Sequence, residues 1–293
     1  MAVRAFTVLP DLTRRRAGAC LLACAAPSRA ASAPTALTYF PVSPLHAYRW
    51  QMLALALAHA PDGPAPTLHP FADADTSQKR AVRLLESGRI DVACFGPDAQ
   101  REAQLQPVRI DILRGMLGFR LLLIRAADQA RIAALDADGV RRELVYGFNS
   151  QWADLAILRA NGLRLVTATG YENLFAMLAA GRFDAFPRGL NEAHRELAQF
   201  RGRFPGLAVE ATKALYFPFP VWFWVRRENA ALAERIEQGL RAALADGSFR
   251  RLFEAYHADE IALMKRGGRQ VIMLAGNAGA ETNTSWWWPD RPR

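Results

Sequence analysis

Arg188 lies in a stretch, LAAGRFDAFPRGLNEA at residues 178–193, whose pattern suits ligand binding. The pattern predicts a short strand over residues 183–186, a turn that holds this arginine, and then a new helix. In open α/β sheets, ligands bind where a strand ends and the chain enters a helix. We therefore predict that Arg188, with Asn191 just beyond it, contacts a ligand. An ordinary pairing of Arg188 with Glu192 on one helix face is the alternative.

A second turn between a predicted strand and a predicted helix holds four candidate residues: Asn149, Ser150, Gln151 and Trp152. The free N–H groups at the start of a helix attract anions, so this turn is also a candidate binding element. Ser150 is predicted to cap the helix. Asn149 is predicted either to contact a ligand or to stabilise the turn itself. Trp152 is predicted either to stack on a ligand or to pack within the protein.

Two aromatic residues, Tyr39 and Phe40, end the first predicted strand. We expect them to form an aromatic wall of the binding pocket. The alternative is that they cap the core beneath the first helix.

No set of residues indicates catalysis or a metal centre. The five histidines share no metal-binding spacing, and the chain has no GxSxG, HExxH or phosphate-binding glycine loop. Cys94 lies inside an apolar run and is predicted to be a small buried side chain. We therefore predict no catalytic residue, no metal and no cofactor.

The chain is strongly basic, with a formal net charge of +9, and only three of its 37 basic residues are lysines. The arginines are scattered rather than grouped in a basic block interleaved with aromatic residues. Such charge is typical of a solvated surface, so we predict no nucleic-acid partner. A chain of 293 residues with 51% hydrophobic content is enough for one large domain or two ordinary ones.

Residues 1–30 have the pattern of an export signal. Arginines at 14–16 precede the apolar run 17–26, and small residues suit cleavage after Ala30. The run is half of the roughly 20 residues that a membrane-spanning helix needs, so it predicts secretion to the periplasm rather than an anchor. A disordered basic leader is one alternative, and a lipid attached to Cys24, which follows a lipobox-like LLA, is another.

Strand and helix patterns alternate along the rest of the chain, which predicts an α/β fold with a mostly parallel sheet. Two long extended apolar passages, residues 108–124 and 215–225, interrupt this order and flank a second complete set of strands and helices. We infer that the chain crosses twice between two lobes and that the crossovers form a hinge.

The predicted domains are a signal peptide at 1–30, lobe 1 at 31–117 plus 221–266, lobe 2 at 118–220, and a C-terminal tail at 267–293. In the tail, VIML is predicted to add a short strand. The Trp286–Trp288 cluster is predicted to fold back onto a lobe, because a free tail would expose a large apolar patch. We assign the tail no function.

The order of elements, together with LESGRIDVACF, QPVRIDILRGMLGFRLLLIR and LAAGRFDAF, resembles the bilobal periplasmic solute-binding proteins of the polar amino-acid-uptake type. The run from Gln151 to Ala193 is similar to exported proteins described as transporter substrate-binding domains. The resemblance covers residues 37–275 and implies a type II two-lobe fold that closes on a ligand.

The resemblance also implies roles for single residues. In the amino-acid-binding relatives, an arginine after the third strand grips the ligand carboxylate, which points to Arg101. The loop GPDAQR is shorter here and lacks the relatives' threonine, so a surface arginine is the alternative. Those relatives also place the turn at Ser150 against the carboxylate, and an acidic residue for the ligand's ammonium group near the position of Arg188. An arginine there favours an acidic or multiply anionic solute.

We therefore predict an exported, monomeric protein that closes on a small polar ligand, with an anionic one favoured. It would deliver this ligand to the membrane permease of an ABC-type uptake transporter. One alternative is a dehydratase-like enzyme on the same scaffold, which needs a cleft carboxylate of raised pKa. The other is a ligand-sensing module, which needs a signalling or DNA-binding domain that residues 1–36 are too short to supply.

Overall fold

The structure, a computed structural model, describes residues 35–41, 44–72, 77–276 and 282–291. The predicted signal peptide and Cys24 lie outside these residues. The described strands are β1 (Ala36–Tyr39), β2 (Thr67–Pro70), β3 (Ala93–Phe95), β4 (Leu105–Val108), β5 (Phe119–Arg125), β6 (Val145–Asn149), β7 (Arg164–Ala168), β8 (Ala185–Gly189), β9 (Leu207–Tyr216), β10 (Trp222–Arg226) and β11 (Gln270–Met273). The described helices are α1 (Ala47–His59), α2 (Gln78–Glu86), α3 (Ala99–Gln104), α4 (Gln129–Ala133), α5 (Ala137–Arg142), α6 (Leu155–Ala160), α7 (Tyr171–Ala179), α8 (Ala193–Phe200), α9 (Ala230–Ala245), α10 (Ser248–Tyr256) and α11 (Ala258–Arg266).

The first sheet combines two strands that precede β5 to β9 in the sequence with one strand that follows them. Strand β10 lies between β3 and β4 and runs antiparallel to both. Strands β1 and β2 pair in parallel, and a bridge from Tyr39 to Val92 joins this pair to the residue before β3. Helix α1 packs against α9, and α2 packs against β3 and β10.

The second sheet has six strands in the order β11-β9-β5-β8-β6-β7. Strand β6 runs parallel to β7 and β8, whereas β5 runs antiparallel to β8 and β9. The prediction of a mostly parallel sheet is therefore correct for the pairs β1–β2, β6–β7 and β6–β8, and wrong for every strand pair that includes β5 or β10. These two strands belong to the crossover passages, and they pair because a buried extended segment must satisfy its backbone N–H and C=O groups.

The two crossovers lie side by side and contact each other. The Ile112 N–H donates to the Val221 carbonyl at 3.1 Å, and the Phe217 N–H donates to the Gly118 carbonyl at 3.2 Å. A Cβ atom on Gly118 would lie 2.0 Å from the Phe217 carbonyl oxygen, so only glycine fits this approach. By their contacts residues 33–293 form one compact unit, and the predicted lobe boundaries stay a prediction.

The C-terminal segment belongs to the folded body. Strand β11 pairs in parallel with β9, which confirms the predicted strand at VIML and returns the chain to the second sheet after β10. Trp287 is buried, its ring contacts Phe119 edge-on, and its Nε1–H donates to the Arg114 carbonyl at 2.7 Å. The prediction that the tryptophan cluster folds back is confirmed. Residues 277–281 and 292–293 lie outside the described part.

Strand β8 is longer than the sequence pattern predicted. It pairs with β5 from Ala185 to Gly189, so Arg188 lies in the strand and not in a turn beyond it. The prediction failed there because a proline and a glycine usually end a strand, whereas β5 supplies a partner along this whole length. The backbone pairing of β8 with β5 therefore fixes the position of Arg188.

Candidate functional site

A cavity of about 350 Å³ lies between the two sheets, which is enough for a small molecule. Elements that pack with the first sheet contribute His46, Arg49, Gln78 and Phe95 to its lining. The segment that carries the second sheet contributes Arg120, Asn149, Gln151, Trp152, Asp154, Tyr171, Arg188, Glu192 and Glu196. Four of the predicted site residues therefore meet here: Asn149, Gln151, Trp152 and Arg188.

Among the residues that the structure describes, Arg49 is the cavity arginine without an acidic partner. It is the one charged residue of the apolar helix α1, and its side chain is buried. Its Nη1 donates to the Cys94 carbonyl at 3.0 Å, and no ion pair joins it to a carboxylate among the described residues. A buried guanidinium with only a neutral partner favours an anion next to it.

Arg188, by contrast, is neutralised by the chain itself. Its Nε and Nη2 donate to the two carboxylate oxygens of Glu196, both at 2.6 Å. Its Nη2 also lies 2.9 Å from Glu192 Oε2. Burial alone lowers the pKa of Arg188, and the two carboxylates more than reverse this, so its pKa is raised above the ordinary value. The predicted alternative, a pairing with Glu192, is present, and Glu196 strengthens it.

Aromatic rings complete the surroundings of the Arg188 guanidinium. Its central carbon lies 4.3 Å from the ring centre of Trp152, 5.1 Å from that of Phe186 and 5.8 Å from that of Tyr171. The Trp152 and Phe186 rings stack on each other with centres 6.1 Å apart. Trp152 therefore packs against Phe186 and Arg188, which was one of its two predicted roles, and it also lines the cavity.

A second buried ion pair joins the cavity wall to a crossover. Arg120 Nη2 donates to Asp154 Oδ2 at 2.5 Å, and both side chains are almost fully buried. The Arg120 guanidinium also lies 5.0 Å from the ring centre of Phe217 in the second crossover. Burial raises the pKa of Asp154, and Arg120 acts against that rise.

His46 is uncharged at neutral pH. Burial, together with the nearby Arg49, lowers its pKa from 6.5 to about 4, although Glu192 acts in the opposite direction. Its Nε2 lies 3.4 Å from Glu192 Oε1, which fits an Nε2–H that donates to the carboxylate. His46 Nδ1 is then an acceptor, and this buried atom has no hydrogen-bond partner among the described residues.

The turn after β6 is held by Asn149. Its side chain accepts from the Gln151 N–H and donates to the Thr169 carbonyl, each at 2.9 Å. The prediction that Ser150 caps the helix is wrong, because α6 begins only at Leu155 and Asp154 precedes it. Asn149 therefore stabilises the turn, which was the predicted alternative to ligand binding.

Arg101 does not line this cavity. Its Nη1 donates to the Gly96 carbonyl at 2.6 Å, and its Nη2 donates to Gln78 Oε1 at 2.7 Å. Its Nε lies 3.1 Å from Asp98 Oδ2. Together with Ser150 it lines a neighbouring groove of about 530 Å³ that shares Gln151 and Trp152 with the cavity.

The remaining three predicted residues lie elsewhere. Tyr39 stacks on Trp50 with ring centres 4.3 Å apart, and Phe40 is 2% exposed in a core cluster with Leu84. Asn191 is buried, and its Oδ1 has no hydrogen-bond partner in the structure. None of the three lines the cavity, and their contact with a ligand stays a prediction.

Sequence reasoning missed four charged residues of the cavity: Arg49, Arg120, Asp154 and Glu196. Two of them had a signal, because Arg49 lies in the apolar helix α1 and Arg120 directly precedes the apolar run LLLI in β5. Glu196 also had one, since it follows Glu192 at a spacing that places two like charges on one helix face. Two carboxylates in that position repel each other, so a nearby cation is expected to neutralise them.

Comparison with known proteins identifies the fold. No family model and no curated protein sequence matches the chain. Among solved structures, an ancestral arginine-binding protein bound to arginine is 14% identical, with a TM-score of 0.56, and the match covers 76% of this chain and 98% of that one. The periplasmic VFT2 domain of BvgS from Bordetella pertussis is 17% identical, with a TM-score of 0.54, over 76% of this chain and 92% of that one. The chain has the bilobal fold of the periplasmic binding proteins.

A third structure with this periplasmic-binding fold is the amino acid ABC transporter substrate-binding protein AbpA from Streptococcus pneumoniae bound to L-arginine. It is 13% identical, with a TM-score of 0.52, over 77% of this chain and 96% of that one. Within the described ranges, no helix is long and apolar enough to cross a membrane. The same ranges hold no cluster of three or more His, Cys, Asp or Glu residues placed to bind a metal ion.

Proposed function

We propose that the protein is an exported solute-binding protein that captures a small polar solute bearing an acidic group. The observation that carries this proposal is Arg49, a buried cation that faces the cavity and has no carboxylate partner in the described part of the chain. A carboxylate or similar anion would accept paired hydrogen bonds from this guanidinium.

Hinge closure is the proposed mechanism. Arg49 and Gln78 approach the cavity from the first sheet, and Asn149 and Gln151 approach it from the second. A ligand that contacts both sides stabilises the closed form by the contacts that it makes only there. The two crossovers are the segments that would absorb the motion.

Export and delivery rest on the sequence and on the compared proteins. The pattern of residues 1–30 supports secretion to the periplasm. One compared structure is named as the substrate-binding protein of an ABC transporter, which supports a membrane permease as the partner. We propose that the protein acts as a monomer and hands its ligand to such a permease.

The proposed ligand differs from the one named for the compared structures. Two of them are described with bound arginine. In this chain, Arg188 pairs with Glu192 and Glu196 inside the cavity. We therefore propose an acidic solute and not a cationic amino acid.

A dehydratase-like enzyme on the same scaffold is the second candidate, and one observation favours it. Burial raises the pKa of both Asp154 and Glu196, as this candidate requires. Each carboxylate is hydrogen-bonded to an arginine, so a proton would reach or leave it only after the ion pair breaks. We favour binding without turnover.

A thermal-shift screen of the purified protein tests the proposal. The panel contains carboxylic acids, amino acids, organic phosphates and neutral sugars at matched ionic strength. A ligand at 100 times its Kd adds about 2.7 kcal/mol of stability, which such a screen resolves. We expect acidic solutes to give the largest shifts, and a panel in which only sugars shift the melting temperature would contradict the proposal. Proton NMR of the best ligand after long incubation separates binding from turnover.

A further inference from the structure

A set of side chains around Arg188 has the composition of a binding site for an organic cation. Glu192 and Glu196 supply two carboxylates from one face of the chain around α8, and Trp152, Phe186 and Tyr171 supply aromatic rings. Carboxylates paired with aromatic faces are what guanidinium and ammonium groups bind in proteins. We call these five residues the cation box.

We propose that the cation box is a guanidinium site that the chain fills with its own Arg188, and that Arg188 thereby excludes the ammonium group of an amino acid from the cavity. The proposal rests on the proposed function and deepens it. The ligand class that follows is an organic acid without an amino group.

The donors that already contact the carboxylate oxygens of Glu192 and Glu196 support the exclusion of an ammonium group. Both oxygens of Glu196 accept from Arg188. Glu192 Oε2 lies 2.9 Å from Arg188 Nη2 and accepts from the Gly189 N–H at 3.1 Å, and Oε1 faces His46 at 3.4 Å. Every oxygen of the two carboxylates therefore already has a donor from the chain, and an incoming ammonium would have to displace one.

The position of Arg188 in the sheet makes displacement costly. Arg188 is paired with Leu121 across β8 and β5, and its side chain is 5% exposed. Moving the guanidinium out would leave two buried like charges, Glu192 and Glu196, without their counterion. The remaining cavity carboxylate, Asp154, is likewise paired with Arg120.

Guanidinium complementation tests the proposal without any natural ligand. Arg188→Ala empties the cation box, and we expect about 10 mM guanidinium chloride, far below denaturing concentrations, to raise its melting temperature by at least about 2 °C over equal sodium chloride. The wild-type protein should show no such rise. Failure of guanidinium to stabilise Arg188→Ala, or an equal rise in the wild type, overturns the proposal.

Arg203→Ala is the matched control. Arg203 also pairs with a carboxylate, Glu172 at 2.6 Å, and lies near the rings of Phe200 and Phe204, but its side chain is 60% exposed. Because water already solvates that surface, we expect no guanidinium response there. A response equal to that of Arg188→Ala would mean that the effect is unspecific, and would overturn the proposal.

Should Arg188→Ala fold only with guanidinium present, the proposal is supported directly. Should it fold in neither condition, the double variant Arg188→Ala with Glu196→Gln removes one buried charge of each sign. We expect guanidinium to raise its melting temperature through Glu192 and Trp152, and no rise overturns the proposal.

A ligand comparison tests the consequence for specificity. Acids that differ by one amino group, such as succinate and aspartate or glutarate and glutamate, are titrated against the wild-type protein. We expect the acid without the amino group to bind at least about tenfold more tightly in any pair that binds. Tighter binding of the amino acid overturns the exclusion by Arg188, whereas failure of both members leaves the guanidinium result to decide and counts against the proposed function.

Discussion

The backbone N–H of Val221 donates a hydrogen bond to the carboxylate of Asp111 at 3.0 Å, and this bond ties the second crossover to the first. Asp111 also accepts from the N–H of Leu113 at 3.0 Å and of Gly115 at 2.5 Å. One side chain therefore fixes the backbone of both crossovers, the segments that would absorb the proposed hinge motion. We expect the hinge to respond to changes at this residue.

Stability should depend on pH through Asp111. Burial raises its pKa from 3.8 to about 6, although the three backbone N–H groups lower it. An acid whose folded pKa is raised binds its proton more tightly in the folded state, so its contribution to the free energy of unfolding falls as pH rises from about 4 to about 6. Relative to Asp111→Asn, the wild-type protein should lose about 1 to 2 kcal/mol over that range. Urea denaturation at several pH values measures the difference, and a difference that does not change with pH contradicts the assignment.

The close contact of the crossovers should make Gly118 intolerant of a side chain. A Cβ at this position would meet the Phe217 carbonyl oxygen at 2.0 Å, so Gly118→Ala should destabilise the protein by about 1–3 kcal/mol or more. Gly202→Ala is the control, since nothing lies within 4 Å of its Cβ position, and it should change stability by less than about 0.5 kcal/mol. Equal effects of the two substitutions in urea denaturation would mean that the crossovers do not touch.

Breaking the Arg120–Asp154 pair should be costly. Asp154→Ala leaves a buried guanidinium without its carboxylate, and we expect a loss of about 3–5 kcal/mol. Glu172→Ala breaks the exposed pair with Arg203 and should cost less than about 1 kcal/mol. Denaturation midpoints for the two variants test this, and a small effect of Asp154→Ala would show that the pair is solvated.

Local sequence patterns predicted most of the elements and little of the site. The pattern of residues 230–245 predicts a helix with the bounds that the structure shows for α9, because apolar residues at helical spacing mark a buried helix face. The two crossovers and the strand β11 were also found from runs of apolar residues. The end of β8 was not, because the strand continues only where β5 offers a partner about 65 residues away in sequence.

The charges of the site show why sequence reasoning was incomplete there. Arg188 lines the cavity, but its contact with a ligand stays a prediction. A guanidinium attracts an anion only when it lacks a counterion, and Glu196 supplies one to Arg188. Arg49 is the opposite case, because it forms no ion pair with a carboxylate among the described residues. Whether an arginine is free or paired depends on contacts across the fold, which the spacing of residues along one chain does not contain.

The affinity of Arg49→Gln for the best acidic ligand of the screen tests the central claim most directly. Isothermal titration calorimetry compares it with the wild-type protein and with Arg203→Gln, which removes an exposed arginine that does not line the cavity. We expect Arg49→Gln to weaken binding by about 10- to 100-fold, the loss of one charge-assisted hydrogen-bonded contact, and Arg203→Gln to leave it unchanged. Wild-type affinity in the Arg49→Gln protein would contradict the account.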